Sequence, residues 1–285
     1  MAQIMDGKLV SVKMKEDIKK EIEEMKKNLG KVPGFAAVIV GDDPASQVYV
    51  KNKKKDCEEV GIYCEEYALP ENTGEAELLA LIKKLNGQEN IHGILTQLPL
   101  PKHLNENLII ENISPAKDVD AFHPQNVGRI MIGRYDLQPC TPAGVMELLK
   151  YYNIEISGKE CVVVGRSNIV GKPQAMMLLH ADATVTLCHS RTKNLAEVTK
   201  RADILIAAVG RRDFITADMV KNGAVVIDVG MNKKDDGKLC GDVDFAEVEK
   251  KASYITPVPG GVGPMTRAVL MKNTLTAAKR AFNLI

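Results

Sequence analysis

The stretch Cys161–Pro173, which reads CVVVGRSNIVGKP, places the tightest limit on what this chain can fold into. A run of β-branched residues, Val162, Val163 and Val164, ends at Gly165, and Gly171 then opens a segment of helix formers, Gln174–Leu179. That order is strand, glycine turn, helix start. It leaves backbone amides at a helix N-terminus above the strand ends, an arrangement that suits a phosphate. Five residues separate Gly165 from Gly171, so the spacing departs from G-x-G-x-x-G. A turn that merely packs a helix closely on a strand is the alternative reading.

A second apolar strand, Thr184–Cys188, follows one βα unit later. A Rossmann domain usually carries an acid for the ribose 2′-hydroxyl at the end of that strand, about 20 residues on. Here the end reads His189, Ser190, Arg191, Thr192, with no carboxylate. Arg191 and Arg166 together with a hydroxyl suit a 2′-phosphate by charge and geometry, so NADP is expected over NAD. Solvated surface arginines are the alternative.

At 285 residues with 45% hydrophobic content, the chain is long enough for two cores. Lys plus Arg (38) nearly balances Asp plus Glu (37), which argues against a nucleic-acid or acidic-membrane partner and for a small molecule. The N-terminal stretch MAQIMDGKLV has no long apolar core, and no segment is long enough to span a bilayer, so a cytoplasmic protein is expected. The cysteines (Cys57, Cys64, Cys140, Cys161, Cys188, Cys240) lack C-x-x-C pairs or histidines at ligand spacing, and no metal is expected. Cys161 and Cys188 fall in apolar runs, as small core side chains.

Taken in order, Ser11–Leu29 reads as a surface helix stopped at Gly30, and Phe35–Val40 as a buried strand. Asp43 can cap a helix that has Pro44 at its first position and ends before Gly61. Ile62–Leu69, Glu75–Leu85 and His92–Leu95 continue as strand, helix and strand. This alternation implies a parallel sheet with helices on both faces. Prolines interrupt Leu98–Phe122, which reads as loop with one short helix near Asn105–Glu111. Thr141 is expected to cap a helix with Pro142 at its first position. After the glycine turn come strands at Ile204–Ala208 and Ala224–Val229, the turn Thr256–Pro264, and a last helix starting at Pro264 and running to Ala281.

Three polar clusters in the first half could carry chemistry. Tyr49 and Lys53 lie four apart on one predicted helix and share a face, although a solvated lysine face with a core tyrosine fits the same spacing. A lysine becomes a proton-transfer group when burial and neighbouring cations lower its pKa, and Lys54 and Lys55 are near in sequence. Gln97 directly follows a buried strand. Asp118 and Asp120 sit in a loop, where aspartates commonly serve as turn or cap residues.

Six segments carry a resemblance in order and in register: SQVYVKNKKKDCEEVGI (Ser46–Ile62), GILTQLPLP (Gly93–Pro101), SPAKDVDAFHP (Ser114–Pro124), PCTPAGV (Pro139–Val145), VVVGRSNIVGKP and PVPGGVGPMT (Pro257–Thr266). The chain resembles the bifunctional methylenetetrahydrofolate dehydrogenase and methenyltetrahydrofolate cyclohydrolase family over essentially its full length. The resemblance implies a two-domain α/β protein: an N-terminal three-layer catalytic domain, residues 1–140 plus 265–285, and a Rossmann-type NAD(P)-binding domain, residues 141–264, with the folate in a cleft between them. The last helix is expected to pack back on the first domain. The resemblance further implies a homodimer acting on tetrahydrofolate derivatives: NADP-dependent oxidation of 5,10-methylenetetrahydrofolate, then hydrolysis to 10-formyltetrahydrofolate.

Matched motif by motif, the resemblance gives Lys53 the catalytic lysine's place, Tyr49 that of the tyrosine flanking the pterin and aminobenzoyl rings, Gln97 that of the glutamine orienting the lysine, and Asp120 that of the aspartate holding the pterin. Val50, Leu98, Pro99, Pro259, Gly260 and Gly261 would also line the folate. Gly165, Arg166, Ser167, Ile169, Ser190 and Arg191 would line the cofactor, with Val209, Gly210, Val229 and Gly230 bordering its nicotinamide half. Ala121 departs from the pattern, standing where the family usually has glycine, so the backbone is expected to differ slightly there. A shikimate-type dehydrogenase and a silent nucleotide- or folate-binding module are the rival readings.

Overall fold

The computed structural model describes residues 1–285 apart from the side chain of Ala45. In chain order the first elements are β1 (Gln3–Ile4), α1 (Gly7–Leu29), β2 (Gly34–Val40), α2 (Pro44–Val60), β3 (Tyr63–Leu69), α3 (Glu75–Gly87), β4 (Gly93–Thr96), α4 (Glu106–Asn112), α5 (Pro124–Met131) and α6 (Cys140–Tyr151). They are followed by β5 (Glu160–Val164), α7 (Gly171–His180), β6 (Thr184–Cys188), α8 (Leu195–Thr199), β7 (Ile204–Ala207), β8 (Val225–Asp228), the hairpin β9 (Asn232–Lys233) and β10 (Leu239–Cys240), α9 (Phe245–Val248), β11 (Tyr254–Ile255) and α10 (Val262–Ala281).

Local chemistry sets several of these boundaries. The Asp43 carboxylate accepts the Ser46 amide at 2.8 Å, Pro44 starts α2, and Gly61 ends it at φ 87°. Helix α1 begins four residues before the expected Ser11, because Asp6 Oδ1 accepts the amides of Lys8 (2.8 Å) and Leu9 (3.1 Å) and so caps its start. Thr141 is not a cap. Helix α6 already includes it, no side chain caps that end, and Thr141 Oγ1 lies 3.0 Å from Thr266 Oγ1 instead. Pro142 and Pro264, each expected at the first position of a helix, sit two residues past its first residue, still within the first turn where the missing amide goes unneeded.

The chain divides into two compact units, one of residues 13–138 with 267–285 and the other of residues 1–12 with 139–266. In the first, the parallel sheet has the order β3-β2-β4, with β2 buried along its whole length. Its core packs Ala36, Val38 and Val40 of β2 with Leu78, Ile82 and Leu85 of α3 and Ile109 of α4. The part of α10 from Arg267 onward belongs here: Met271 meets Cys57, and Asn273 Nδ2 donates to the carbonyls of Val119 and Gln138, both at 2.7 Å.

In the other unit, six parallel strands run in the order β1-β11-β8-β7-β5-β6. The sequence reading placed residues 1–12 with the catalytic domain. Here β1 pairs with β11, and the amides of Ala2 and Met5 donate to Glu249 and Ile255. Strands of two residues carry no readable alternation, which is why neither β1 nor β11 was expected. From β5 the chain goes to β6 on one side and returns to β7 on the other, so the crevice above β5 and β7 is a topological switch point.

Candidate active site

Helix α2 decides the lysine question. Val50, Lys53, Asp56, Cys57 and Val60 are buried at helical spacing, so Lys53 lies on the inward stripe with a relative exposure of 9%. Lys51, Lys54 and Lys55 are exposed and, with Val50, Ile39 of β2 and Glu66 and Leu69 of β3, line a groove of about 1050 Å³. Within one run of lysines, Lys53 alone takes the desolvated position.

Lys53 Nζ donates to Gln97 Oε1 at 2.9 Å. The amide's orientation is fixed from its other end, because Gln97 Nε2 donates to the Leu98 carbonyl at 2.7 Å and the Gln97 backbone amide to Val38 at 2.8 Å. Leu98-Pro99 is a cis peptide. Tyr49 lies half-buried one turn before Lys53, its pKa raised by burial and partly drawn back by the charge of Arg267. Arg267 Nε pairs with Asp56 Oδ2 at 3.3 Å, and Lys15 Nζ donates to Asp56 Oδ1 at 3.1 Å. Neither Arg267 nor Asp56 was singled out from the sequence, where nothing local marks them.

The loop between α4 and α5 separates its two aspartates. Asp118 is buried, accepting the His123 amide and Asn126 Nδ2, both at 2.8 Å. Burial raises its pKa against the pull of those donors, and its position is that of a loop anchor. Asp120, two residues on, is half-buried. Next to Asp120, Ala121 adopts φ 58° while only 1% exposed, a left-handed conformation that favours glycine and is strained for alanine.

In the other unit, Gly165 follows β5 at φ 133°. A Cβ there would come within 2.1 Å of the Ala208 carbonyl oxygen, and one on Gly171 within 2.0 Å of Gly165 O, so the turn tolerates only glycine. Arg166, Ser167 and Ile169 are exposed on it. Ser167 Oγ accepts the amides of Val170 (3.2 Å) and Gly171 (3.3 Å), so part of the helix N-terminus expected to meet a phosphate is held by the turn itself. Among the described residues the amides of 166–169 make no hydrogen bond within the chain. Four consecutive amides above a switch point fit the phosphates of a dinucleotide. Ser190 and Arg191 lie exposed just past β6, and no ion pair engages Arg166 or Arg191 among the described residues.

Val209 and Gly210 follow β7, and Val229 and Gly230 follow β8. Two carboxylates that the sequence reading did not assign hold these loops. Asp228 takes the amides of Gly230, Asp242 and Val243 at 2.8–2.9 Å, and Asp242 takes those of Val209, Gly210 and Arg211 at 2.6–3.0 Å. Burial pushes Asp228 up to about 7 despite its three donors. Gly260, at φ 109°, accepts the Lys8 amide at 3.2 Å, and Gly261 donates to Pro257; Val258-Pro259 is cis.

A Rossmann-type unit with a glycine turn at its switch point, and a second α/β unit holding a buried lysine against a fixed amide, define a two-domain nucleotide-dependent enzyme. Two family models match the chain, the tetrahydrofolate dehydrogenase/cyclohydrolase catalytic domain over residues 5–120 and the corresponding NAD(P)-binding domain over residues 139–282. A "Bifunctional protein FolD" from Acetivibrio thermocellus is 61% identical over 278 residues, 98% of this chain and 97% of that one. The crystal structure of the Campylobacter jejuni bifunctional enzyme FolD matches with a TM-score of 0.96 at 52% identity, covering 98% of this chain and 99% of the other. That of the Trypanosoma brucei dehydrogenase-cyclohydrolase, complexed with NADP cofactor and inhibitor, matches with a TM-score of 0.94 at 39% identity, covering 99% and 98%. The chain belongs to the tetrahydrofolate dehydrogenase/cyclohydrolase family, which sets aside the shikimate-type reading.

Proposed function

We propose that Lys53 is the proton-transfer group of a bifunctional folate enzyme, with Gln97 orienting it; the 2.9 Å bond between a desolvated amine and an amide fixed from its far side carries the reading. The enzyme oxidises 5,10-methylenetetrahydrofolate with NADP and hydrolyses the resulting 5,10-methenyl cation to 10-formyltetrahydrofolate. When bound, NADP supplies the hydride acceptor.

In the hydrolytic step water attacks an electrophilic carbon between two nitrogens. A cationic substrate disfavours a second positive charge beside it, so Lys53 meets the methenyl cation as the free amine and takes the water's proton at Nζ. Gln97 serves better than a carboxylate for this purpose, since a neutral acceptor steers the amine without fixing its charge. Tyr49 offers a flat face with a polar tip to the aromatic part of the substrate. Asp120 matches the donors of a pterin edge. Val50, Leu98, Pro99, Pro259, Gly260 and Gly261 complete the folate contacts.

In the cofactor unit, Gly165, Arg166, Ser167 and Ile169 hold the phosphates and Ser190 and Arg191 the 2′-phosphate, with Val209, Gly210, Val229 and Gly230 beside the nicotinamide. The same proposal includes a cytoplasmic homodimer with no nucleic-acid partner. No helix among the described residues is long and apolar enough to cross a membrane, and β6 is an edge strand available for pairing. A spectrophotometric assay of both steps tests the reading. It expects reduced nicotinamide to form from methylenetetrahydrofolate faster with NADP than with NAD, and added methenyltetrahydrofolate to be hydrolysed; a protein that binds folate yet does neither would refute it.

A further inference from the structure

The two carboxylates behind the nicotinamide-side loops are buried and belong to no step of the reaction. Asp242 is 0% exposed. Its Oδ2 accepts the amides of Val209 at 2.6 Å and Gly210 at 3.0 Å, and its Oδ1 accepts the Arg211 amide and Asn232 Nδ2, both at 2.9 Å. Three consecutive backbone amides converging on one anion form a nest, the geometry that elsewhere captures a phosphate. Here the chain fills the nest with its own carboxylate. The loop after β7 is thereby tied to the segment that follows β10, 31–33 residues away.

The tie extends in both directions. Asp228, at the end of β8, accepts the Gly230, Asp242 and Val243 amides, and its own amide donates to Thr256 Oγ1 at 2.7 Å. The backbone has been cleared for this packing: a Cβ on Gly230 would fall 2.2 Å from Asp242 Oδ1, and one on Gly241 1.8 Å from Asp228 Oδ2. At the other end, Ala208 abuts Gly165 closely enough to exclude a Cβ there. The β7 loop, the β8 loop and the glycine turn therefore share one frame, with Asp242 at its junction.

We propose that Asp242 is a positioning residue for the dehydrogenase step, setting the β7 and β8 loops against the cofactor without touching it. The proposal rests on the assignment of those loops to the nicotinamide half, and it concerns the dehydrogenase alone, because hydrolysis of the methenyl cation requires no nicotinamide.

Asp242→Asn keeps the shape and removes the charge. Whichever way the new amide turns, its NH₂ faces either the Val209 and Gly210 amides or the Arg211 amide and Asn232, so donors oppose donors. The test measures NADPH affinity by fluorescence titration, the KM for NADP, and methenyltetrahydrofolate hydrolysis without nucleotide. The expected result is a loss of NADPH affinity and a rise in KM of about tenfold or more, as for lost charge-assisted bonds, with hydrolysis at the wild-type rate. NADPH affinity within about twofold of wild type, or equal loss of both activities, overturns the proposal. Should Asp242→Asn fail to fold, Asn232→Ala removes one donor to the same carboxylate: weaker NADPH binding with intact hydrolysis supports the proposal, and unchanged binding overturns it. Wild-type protein that binds NADPH but turns over no folate would fault the functional reading alone, since the titration still judges Asp242.

Discussion

Gln97→Glu asks whether Lys53 acts through its free amine. The substitution is nearly isosteric and puts a negative charge where Oε1 now lies, 2.9 Å from Nζ. An opposite charge within about 4–6 Å shifts the balance toward the charged form by about 1–3 pH units. The same change places a carboxylate oxygen where Nε2 donates to the Leu98 carbonyl at 2.7 Å, so the side chain also loses its anchor. If water is deprotonated by the neutral amine, hydrolysis at neutral pH should fall by about 10- to 1000-fold, and the rising limb of its pH–rate profile should move up by a matching 1–3 units. Absorbance-monitored methenyltetrahydrofolate hydrolysis across pH reads both quantities. Gln97→Met, which removes the acceptor without adding charge, should lose rate with no such displacement. A Gln97→Glu enzyme with wild-type hydrolysis, or one slowed with its limb unmoved, would refute the reasoning.

Other consequences follow from single positions. At Ala121, relief of a left-handed conformation, about 1–2 kcal/mol, is offset by the entropy cost of glycine, about 0.5–1 kcal/mol, and the loss of a buried methyl, about 0.8 kcal/mol. Ala121→Gly should therefore leave the urea midpoint nearly unchanged, while Ala121→Val, β-branched at φ 58° in a buried site, should lower it markedly. His92 is buried with Nδ1 accepting the Gly34 amide at 2.9 Å, and burial, then the charges of Lys117 and Lys31, lowers its pKa to about 4. The folded state refuses a proton that the unfolded chain accepts below about 6.5, so stability is lost as pH falls from about 6.5 to 4, by up to about 3 kcal/mol. His92→Asn should flatten that part of the wild-type curve in denaturation at stepped pH. Replacing Arg166 and Arg191 by glutamine should raise the KM for NADP far more than that for NAD; an equal rise would remove the 2′-phosphate role.

Regular patterns carried most of the fold. The β-branched run before Gly165, the proline-started α2 and the alternation from β2 to β4 each follow from short-range chemistry, so they were legible. Elements held by distant partners were not. β1 exists because it pairs with β11, and β11 because it pairs with β1 and β8, while the Thr141 hydroxyl, expected to cap, meets Thr266 on α10 instead. In the candidate site, the four-residue spacing of Tyr49 and Lys53 identified a face but not whether it was buried; the stripe through Asp56, Cys57 and Val60 supplies that. Asp118 and Asp120 look alike in the sequence, and only the bonds from His123 and Asn126 show that Asp118 anchors the loop. Asp242 had no local signature at all, because its backbone donors come from a loop more than thirty residues earlier.

On the proposed function, the buried amine of Lys53 performs the hydrolysis. Lys53→Met preserves the stem and removes the amine, so the decisive quantity is methenyltetrahydrofolate hydrolysis by this variant, with folate binding measured on the same sample. Hydrolysis should be abolished while folate still binds. A Lys53→Met protein that hydrolyses the methenyl cation at the wild-type rate would contradict it.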